Sequence, residues 1–269
     1  MQNFKDTTEM KEQYKTDKNL NSRVMLHQLY STNKFGWSKW IFQNYQIKSG
    51  QYILELGCGN AGMWSSNSDI ILPDIRLVLS DFSEGMIEAS KINTKDAKYV
   101  IDYAVIDAQS IPYDDDMFDI VIANHMLYHV PDIDKALTEI ARVLKPDGTF
   151  YATTLGNSNF KELIDILYDY DPQIDFAMEL ITEAFGLETG EAVLSRYFKS
   201  VEMLRYEDSL HITEPQPLID YLLSSQGIGN INDIIVDDKI ADFAKYIEGL
   251  FTEKGYIDIQ KDAGMFICK

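Results

Sequence analysis

Cysteine, proline and histidine are scarce in this sequence. The 269 residues include two cysteines, seven prolines and four histidines. Two cysteines cannot form a disulfide framework, which favours a reducing compartment, and we expect a cytoplasmic protein. The segment 1–15 is polar and does not have the pattern of a signal peptide. No hydrophobic run approaches the ~20 residues that a membrane-spanning helix requires.

Positive charge is also in short supply. Lysine and arginine together number 24 against 43 aspartates and glutamates, so the formal net charge is −19. Proteins bind nucleic acid and anionic membranes through clustered positive charge. We therefore expect neither as a partner. The oligomeric state stays open between monomer and homodimer, because no sequence pattern requires a dimer.

Strand and helix patterns alternate in the middle of the chain. Short apolar runs predict strands over 52–56, 75–80, 98–105, 118–124 and 148–155. Amphipathic segments between them predict helices, with one over 83–92 that Ser83 would cap and one within 132–148 that Pro146 and Gly148 would end. Such alternation is typical of a doubly wound α/β fold with a parallel sheet.

The chain divides into four parts on the same grounds. Helical spacing over 7–45, ending in an aromatic cluster, predicts an N-terminal lid segment over 1–48. Residues 49–156 form the core. Residues 157–254 predict a helical cap or substrate region with one strand near 198–206, and 255–269 predict a pair of terminal sheet strands. The cap would cover the carboxyl ends of the strands, where such sheets bind ligands.

The loop "GCGNAG" after the first strand allows two interpretations. Gly57, Gly59 and Gly62 have the spacing of a dinucleotide-binding loop, which would indicate an NAD-dependent oxidoreductase. The same glycines preceded by Glu55 are also compatible with a loop that holds S-adenosylmethionine. Asp81 ends the second strand and could reach a ribose hydroxyl of either cofactor. The loop alone therefore leaves hydride transfer and methyl transfer open.

Four blocks in a fixed order separate these interpretations. They are "ILELGCGNAG", "LVLSDFSEGMI", "YAVIDAQSIPYDDDMFDIVIANHMLYHVPD" and "ALTEIARVLKPDGTFYATT", which cover about residues 51–155. As a set they resemble the class I S-adenosylmethionine-dependent methyltransferases, specifically the small-molecule branch called type 11 or type 25. The resemblance implies a Rossmann-like seven-stranded sheet, with an N-terminal helical segment and a helical cap inserted after strand five. It also implies S-adenosylmethionine as cofactor and S-adenosylhomocysteine as product.

The resemblance places the cofactor at the ends of successive strands. In this sequence Glu55, Gly57 and Gly59 would form the methionine side, Asp81 would bind the ribose, Asp107 and Ala108 would flank the adenine, and Asn124 and His125 would lie near the sulfonium. The resemblance also makes Cys58, Phe82, Met86 and Gln109 cofactor-binding candidates. One departure concerns the residue two after Gly59, where the family has glycine and this chain has Ala61. We do not count Ala61 as a cofactor contact.

Aromatic residues and histidines are the candidates for the acceptor. His129 is the candidate catalytic base, with a structural or substrate-positioning role as the alternative. His125 and His129 are spaced as in a zinc-binding helix but lack its glutamate and a third ligand, so we expect no metal. Tyr206, Glu207, Asp208 and His211 lie where the sheet edge would meet the cap. The substrate-binding candidates are Tyr30, Trp37, Trp40, Tyr128 and His129, of which the first three would form a lid or a hydrophobic plug.

We therefore expect an enzyme that transfers a methyl group in line from S-adenosylmethionine to a small apolar or aromatic acceptor. An apolar cap suits an acceptor that is enclosed away from water. The alternatives are a protein methyltransferase or another enzyme that uses S-adenosylmethionine on the same fold. An oxidoreductase and a non-catalytic S-adenosylmethionine-binding module are further alternatives.

Overall fold

A seven-stranded sheet forms the centre of the computed structural model, which describes residues 25–224 and 229–269. The strands are β1 Tyr52–Leu56, β2 Arg76–Asp81, β3 Val100–Val105, β4 Phe118–Asn124, β5 Leu144–Leu155, β6 Val201–Ile212 and β7 Ile257–Cys268. Their order across the sheet is β3-β2-β1-β4-β5-β7-β6. The first five are parallel, and β7 runs antiparallel to both of its neighbours.

Helices flank the sheet and fill the region between β5 and β7. Residues 25–30 are helical. They are followed by α1 Trp37–Asn44, α2 Gly62–Ser66, α3 Glu84–Asn93, a 3₁₀ turn at Leu127–His129, α4 Ile133–Val143, α5 Lys161–Tyr170, α6 Met178–Phe185, α7 Leu187–Leu194, α8 Pro215–Leu223, α9 Ile231–Ile234 and α10 Asp238–Lys254. None of the helices in the described ranges is long and apolar enough to cross a membrane.

Both faces of the sheet are buried, as expected for a parallel sheet between layers of helices. Neighbouring residues of β1 show the alternation, because Ile53 belongs to one apolar cluster and Leu54 to the other. One cluster includes Ile140 of α4, and the other includes Trp64 of α2. The sheet is therefore held on two sides, and its carboxyl edge keeps a fixed geometry.

Most predicted elements are present, and Ser83 caps α3 by accepting a hydrogen bond from the backbone N–H of Met86. The predicted end of α4 is wrong. The helix ends at Val143 because Leu144 already pairs with Phe118 in the sheet, so Pro146 lies within β5. The predicted pair of terminal strands is also wrong, since β7 is one continuous strand between β5 and β6.

The N-terminal prediction holds only in part. Its residues up to 24 lie outside the described ranges. Within 25–45, helix is present at 25–30 and in α1, but residues 31–36, here called the strap, form a bridge, a bend and a turn. Ser31 makes an antiparallel bridge to Leu210 of β6, and Gly36 has a positive φ of 89°. The strap interrupts the helix because it pairs with the sheet edge.

Strand β6 pairs with β7 along its whole length, from Val201 to Ile212, which matches the strand pattern of the sequence over 200–213 and extends beyond the bounds of 198–206. The helix α7 was not predicted from the sequence. The helices between β5 and β6, together with α8 to α10, lie in the predicted cap region.

Candidate cofactor and acceptor site

One cavity of about 1100 Å³ opens at the carboxyl ends of the parallel strands. Glu55, Asp81 and Asn124 line it from the sheet, and Met178 and Tyr221 line it from the cap helices. Ligand sites in proteins usually measure roughly 300–1,000 Å³. The volume is therefore sufficient for a nucleoside cofactor together with a second small molecule.

The glycine loop after β1 lines the cavity and packs closely against Met126. Gly57 and Gly59 have φ values of +68° and +55°, in the left-handed region that favours glycine. A Cβ atom on Gly57 would lie 2.8 Å from Cβ of Met126. Ala61 has a φ of 55° as well, so alanine occupies a backbone conformation for which glycine is better suited. The loop exposes its backbone to the cavity because no side chain stands in the way at Gly57.

Asp81 joins the end of β2 to this loop. Its Oδ2 accepts a hydrogen bond of 2.9 Å from the backbone N–H of Gly59, and its Oδ1 accepts one of 2.8 Å from that of Ser83. Burial raises the pKa of Asp81, and these backbone hydrogen bonds act against that shift. Each carboxylate oxygen can accept a further hydrogen bond. Asp81 can therefore fix the loop and bind a hydroxyl group at once.

Glu55 lies at the floor of the cavity in a network of buried side chains. Its Oε2 accepts a 2.5 Å hydrogen bond from Nε1 of Trp64, and its Oε1 accepts one of 2.8 Å from Nδ2 of Asn124. The hydroxyl of Tyr45 donates to Oδ1 of Asn124 over 3.1 Å. Burial raises the pKa of Glu55 to about 7, although both hydrogen bonds lower it. Sequence analysis did not identify Trp64 as part of this network.

The loop after β3 forms another polar part of the cavity wall at the cofactor end. Oδ1 of Asp107 accepts hydrogen bonds from the backbone N–H and from Nε2 of Gln109, at 2.9 and 3.0 Å. Oε1 of Gln109 accepts a hydrogen bond of 3.2 Å from the backbone N–H of Asp132. Ala108 between them is buried and small. The arrangement leaves room for a flat ring beside a carboxylate.

His125 follows β4 in a strained backbone conformation. Its φ is 48°, and left-handed backbone costs a residue other than glycine on the order of 1–3 kcal/mol. The backbone N–H donates to the carbonyl of Thr153 over 3.1 Å, which holds the turn. The ring lies 5.4 Å from that of Trp37. Burial, and then the charge of Lys261, lower the pKa of His125 to about 4, so its imidazole is neutral at physiological pH.

Tyr128 and His129 lie in the 3₁₀ turn that follows. Their ring centroids are 4.6 Å apart, and Tyr128 is also 6.5 Å from His125. Both side chains line the cavity. The turn therefore brings the candidate base and its aromatic neighbour to the cavity wall, where the turn packs against the cap helix α6.

The cavity brings together most of the residues that the sequence singled out. Those that line it are Trp37, Glu55, Gly57, Cys58, Gly59, Asp81, Phe82, Asp107, Ala108, Gln109, Asn124, His125, Tyr128 and His129. Burial holds the pKa of the Cys58 thiol well above its usual range, which keeps it a thiol.

Three predicted site residues do not line the cavity. Tyr30 packs against the core cluster on one face of the sheet. Trp40 stacks behind Trp37 at 5.3 Å and lies at the same distance from Tyr206. Met86 is buried on the inner side of α3. Helix and strand packing places these side chains away from the cavity.

Other cavity residues carry no sequence motif, and they come from parts of the chain that are distant in sequence. They are His27, Asn159, Phe160, Phe176, Met178, Ile181, Tyr221 and Lys261. Of the residues noted at the predicted sheet edge, Asp208 is buried and pairs with Lys261. His211 is instead at an exposed position, where it contacts Asp258.

The residues at the sheet end of the cavity fit S-adenosylmethionine. The left-handed glycines leave the loop backbone open at Gly57, and a Cβ there would collide with Met126. Asp81 supplies carboxylate oxygens suited to a ribose diol, and Asp107 with Ala108 supplies an acceptor beside a flat space. Asn124 and Glu55 provide polar groups at the floor. Together, these polar groups and the open loop backbone match a nucleoside with a charged amino-acid tail.

The comparisons with known proteins agree with this fit. Residues 54–152 match the family described as methyltransferase domain. A demethylmenaquinone methyltransferase of Lactobacillus johnsonii is 36% identical over 115 residues, which are 42% of this chain and 47% of that protein. The ubiquinone/menaquinone biosynthesis C-methyltransferase UbiE of Vibrio parahaemolyticus is 32% identical over 177 residues, which are 65% of this chain and 66% of that protein. The chain thus spans about half the length of the first of these relatives.

Solved structures show the same fold. Phosphoethanolamine N-methyltransferase 2 of Haemonchus contortus, solved in complex with S-adenosyl-L-methionine, has a TM-score of 0.57 to this chain. The comparison covers 100% of this chain and 60% of the other, at 18% identity. Similarity at this identity is evidence for the fold alone.

The fold and the residues at the strand ends are those found in class I S-adenosylmethionine-dependent methyltransferases. Residues 54–152 belong to the methyltransferase domain family. The family and the fold predicted from the sequence are confirmed, and so is S-adenosylmethionine as the cofactor of this class.

Proposed function

We propose that the protein transfers a methyl group from S-adenosylmethionine to a small apolar or aromatic acceptor. The observation that carries this proposal is the continuity of one cavity from the glycine loop to the cap helices. At one end Gly57, Gly59 and Asp81 form a cofactor-sized polar site. At the other end Phe176 and Met178 form an apolar chamber. Two ligands held end to end in such a cavity are in position to react.

The chain contributes mainly orientation. S-adenosylmethionine supplies a reactive methyl group bound to a sulfonium. Holding two reactants in line can contribute on the order of 7–11 kcal/mol, which leaves little need for other assistance. Asp81, Asp107 and the glycine loop would fix the cofactor, and Asn124 and His125 would border the methyl group. Trp37, whose ring lies tilted against that of His125 with centroids 5.4 Å apart, would cover that side of the cavity.

His129 is proposed as an acceptor-side residue. It lines the cavity next to Tyr128, in the turn that packs against the cap helix α6. A base is required only where the acceptor loses a proton on methylation. We propose that His129 takes up that proton, or positions the acceptor, and that the helices from α5 to α10 act as the acceptor cap. Residues 25–48 would close the cavity from the other side.

The names of the relatives support a ring-shaped acceptor. The Lactobacillus protein is named for demethylmenaquinone and the Vibrio protein for ubiquinone and menaquinone biosynthesis. An acceptor chamber lined by Phe160, Phe176 and Tyr221 suits a flat aromatic ring. We therefore propose hydroquinones and related phenols as the first acceptors to test.

The test is transfer of an isotopically labelled methyl group. The protein would be incubated with labelled S-adenosylmethionine and a soluble naphthohydroquinone under reducing conditions, with a basic peptide and NADH in parallel reactions. Labelled methyl-naphthohydroquinone and S-adenosylhomocysteine are the expected products. Labelling of the peptide alone would instead indicate a protein methyltransferase. Oxidation of NADH without methyl transfer would contradict the proposal.

A further inference from the structure

The acceptor end of the cavity contains two nitrogen groups among apolar side chains. Lys261 projects from β7, and His27 belongs to the helical residues 25–30. Both line the cavity together with Phe160, Met178 and Tyr221. They do not belong to the four sequence blocks, and the methyl-transfer proposal does not use them.

Lys261 is held in place by a buried carboxylate. Its Nζ lies 2.5 Å from Oδ2 of Asp208, whose side chain is 0% exposed, while that of Lys261 is 11% exposed. Asp208 also accepts hydrogen bonds from the hydroxyl of Ser31 and the backbone N–H of Asn33. The strap and the sheet thus share one anchor, and that anchor fixes the ammonium at the cavity wall.

The ammonium of Lys261 has capacity for further acceptors. An ammonium carries three N–H donors. Within residues 25–224 and 229–269, Lys261 donates one hydrogen bond, to Asp208. Its Nζ also lies 5.8 Å from the ring centroid of Tyr206. A ligand oxygen in the cavity can therefore accept from Lys261 without displacing Asp208.

His27 adds a second polar atom beside it. Its ring stacks on Phe160 at 5.8 Å and meets Tyr221 edge-on at 6.1 Å. Burial, followed by the charge of Lys261, lowers its pKa to about 3, so the ring is neutral at physiological pH. Nδ1 is buried and has no hydrogen-bond partner in the part of the chain that the structure describes. An unsatisfied buried nitrogen is destabilising, and a bound ligand would satisfy it.

We propose that Lys261 and His27 bind an acidic ring hydroxyl of the acceptor as its oxyanion, which makes the acceptor a phenol or an enol. This inference rests on the proposed function and specifies its acceptor. Lys261 donates from Nζ and the neutral ring of His27 donates from Nδ1, in the tautomer that carries its hydrogen there. The hydroxyl proton is released to solvent on binding, so His129 positions the acceptor where oxygen is methylated and takes up the ring proton where a ring carbon is methylated.

The chemistry of the site favours a single oxyanion on a ring. A nearby positive charge stabilises an ionised oxygen. The aromatic side chains of Phe160 and Tyr221 border the same space, so the ring that carries the oxygen has a surface to pack on. An ionised ring oxygen is a better nucleophile than its hydroxyl, and it also increases the electron density on the ring carbons. The acceptor would thus reach the methyl group already activated.

The test uses para-nitrophenol, whose ionised form has its own absorption band. At a fixed pH the protein is titrated with this phenol in the presence and in the absence of S-adenosylhomocysteine. The bound phenol is expected to show a larger ionised fraction than the phenol in solution. Lys261→Met should weaken its binding by about tenfold or more, whereas Lys261→Arg should keep part of the spectral change.

A second variant tests the site even if Lys261→Met does not fold. Lys261→Met leaves Asp208 buried without its cation, which can unfold the protein. His27→Phe keeps an aromatic ring against Phe160 and removes only the nitrogens, and it should reduce the ionised fraction on its own. Lys245→Met, an exposed lysine on α10, is the matched control and should leave the spectrum unchanged.

The outcomes separate this inference from the proposed function. An unchanged spectrum in the unaltered protein overturns the inference, and so does equal binding of para-nitrobenzoate, which carries a carboxylate instead. A spectral change that both His27→Phe and Lys261→Met retain also overturns it. If the unaltered protein does not bind S-adenosylhomocysteine, the proposed function is contradicted. The titration of para-nitrophenol without that ligand still tests the oxyanion site.

Discussion

The indole Nε1 of Trp64 donates a 2.5 Å hydrogen bond to Oε2 of Glu55, and both side chains are buried beneath the glycine loop. The bond joins α2 to the carboxyl end of β1. Asn124 at the end of β4 donates to the other oxygen of the same carboxyl group. Three elements around the cofactor end of the cavity therefore meet at Glu55.

Removal of this donor should destabilise the protein. Trp64→Phe keeps an aromatic ring beside Phe42, which lies 5.0 Å away, but leaves Oε2 of Glu55 without its partner. The expected loss in the free energy of unfolding is about 1–3 kcal/mol, the cost of a buried polar group that loses its hydrogen bond. Urea denaturation measures it. Trp40→Phe is the control, since the indole nitrogen of Trp40 makes no hydrogen bond within the described ranges. An equal loss in the free energy of unfolding of the two variants would show that the Trp64 hydrogen bond does not stabilise the protein.

Glu55 should make stability depend on pH in a specific direction. Burial raises its pKa from 4.5 to about 7. The folded state then holds this proton more tightly than the unfolded chain, so stability falls as the pH rises from about 4.5 to about 7. This contribution is on the order of 3 kcal/mol.

The variant Glu55→Gln has no titrating group here, so the difference between its stability and that of the parent should change by that amount between about pH 5 and about pH 8. Urea denaturation at both values provides the measurement. Glu88→Gln, an exposed carboxyl on α3 that pairs with Lys91, is the control. If the stability difference for Glu55→Gln is constant with pH, burial of an ionising Glu55 is disproved.

Substitution of Gly57 should weaken cofactor binding. Alanine there would be strained at a φ of +68° and would bring its Cβ within 2.8 Å of Met126. We expect Gly57→Ala to reduce the affinity for S-adenosylmethionine by roughly tenfold or more, measured by equilibrium dialysis, which corresponds to about 1.4 kcal/mol. Gly50→Ala has a similar φ of +76° with nothing within 4 Å, so it controls for strain alone. Equal affinities in the two variants would show that the loop does not contact the cofactor.

The carboxylate of Asp81 should matter more for binding than for folding. Asp81→Asn removes one of the acceptors that hold the backbone of Gly59 and Ser83, and it removes the charge. The affinity for S-adenosylhomocysteine should fall by about 10- to 100-fold, as expected for lost hydrogen bonds to a charged group. Fluorescence titration measures it, with Asp102→Asn on the exposed side of β3 as control. Binding that Asp81→Asn leaves intact would remove Asp81 from the cofactor site.

The cofactor end of the site could be predicted because its residues lie in sequence beside the strands that position them. Glu55, Asp81, Asp107 and Asn124 each follow or end a strand, and parallel strands bring their carboxyl ends to one edge. A pattern within a few residues of each strand end therefore predicted the polar wall at the cofactor end of the cavity. The apolar face of α4 that packs against the sheet could also be predicted from the sequence. The residue at which α4 ends could not, because Leu144 pairs with β4, a partner that is distant in sequence.

The acceptor end could not be predicted in this way. His27 and Lys261 come from opposite ends of the chain, and the strap and β7 bring them to the same cavity. Nor did sequence distinguish Trp37 from Trp40, because the orientation of α1 depends on the ring of Tyr206 packed against both. Contacts of this kind arise only in the tertiary structure.

Calorimetric titration with S-adenosylhomocysteine, with NADH titrated alongside, tests the central claim most directly. Binding of S-adenosylhomocysteine at micromolar affinity, about −8 kcal/mol, with no heat from NADH is the result that we predict. Binding of NADH without S-adenosylhomocysteine would contradict the account, because the glycine loop and Asp81 would then hold a dinucleotide.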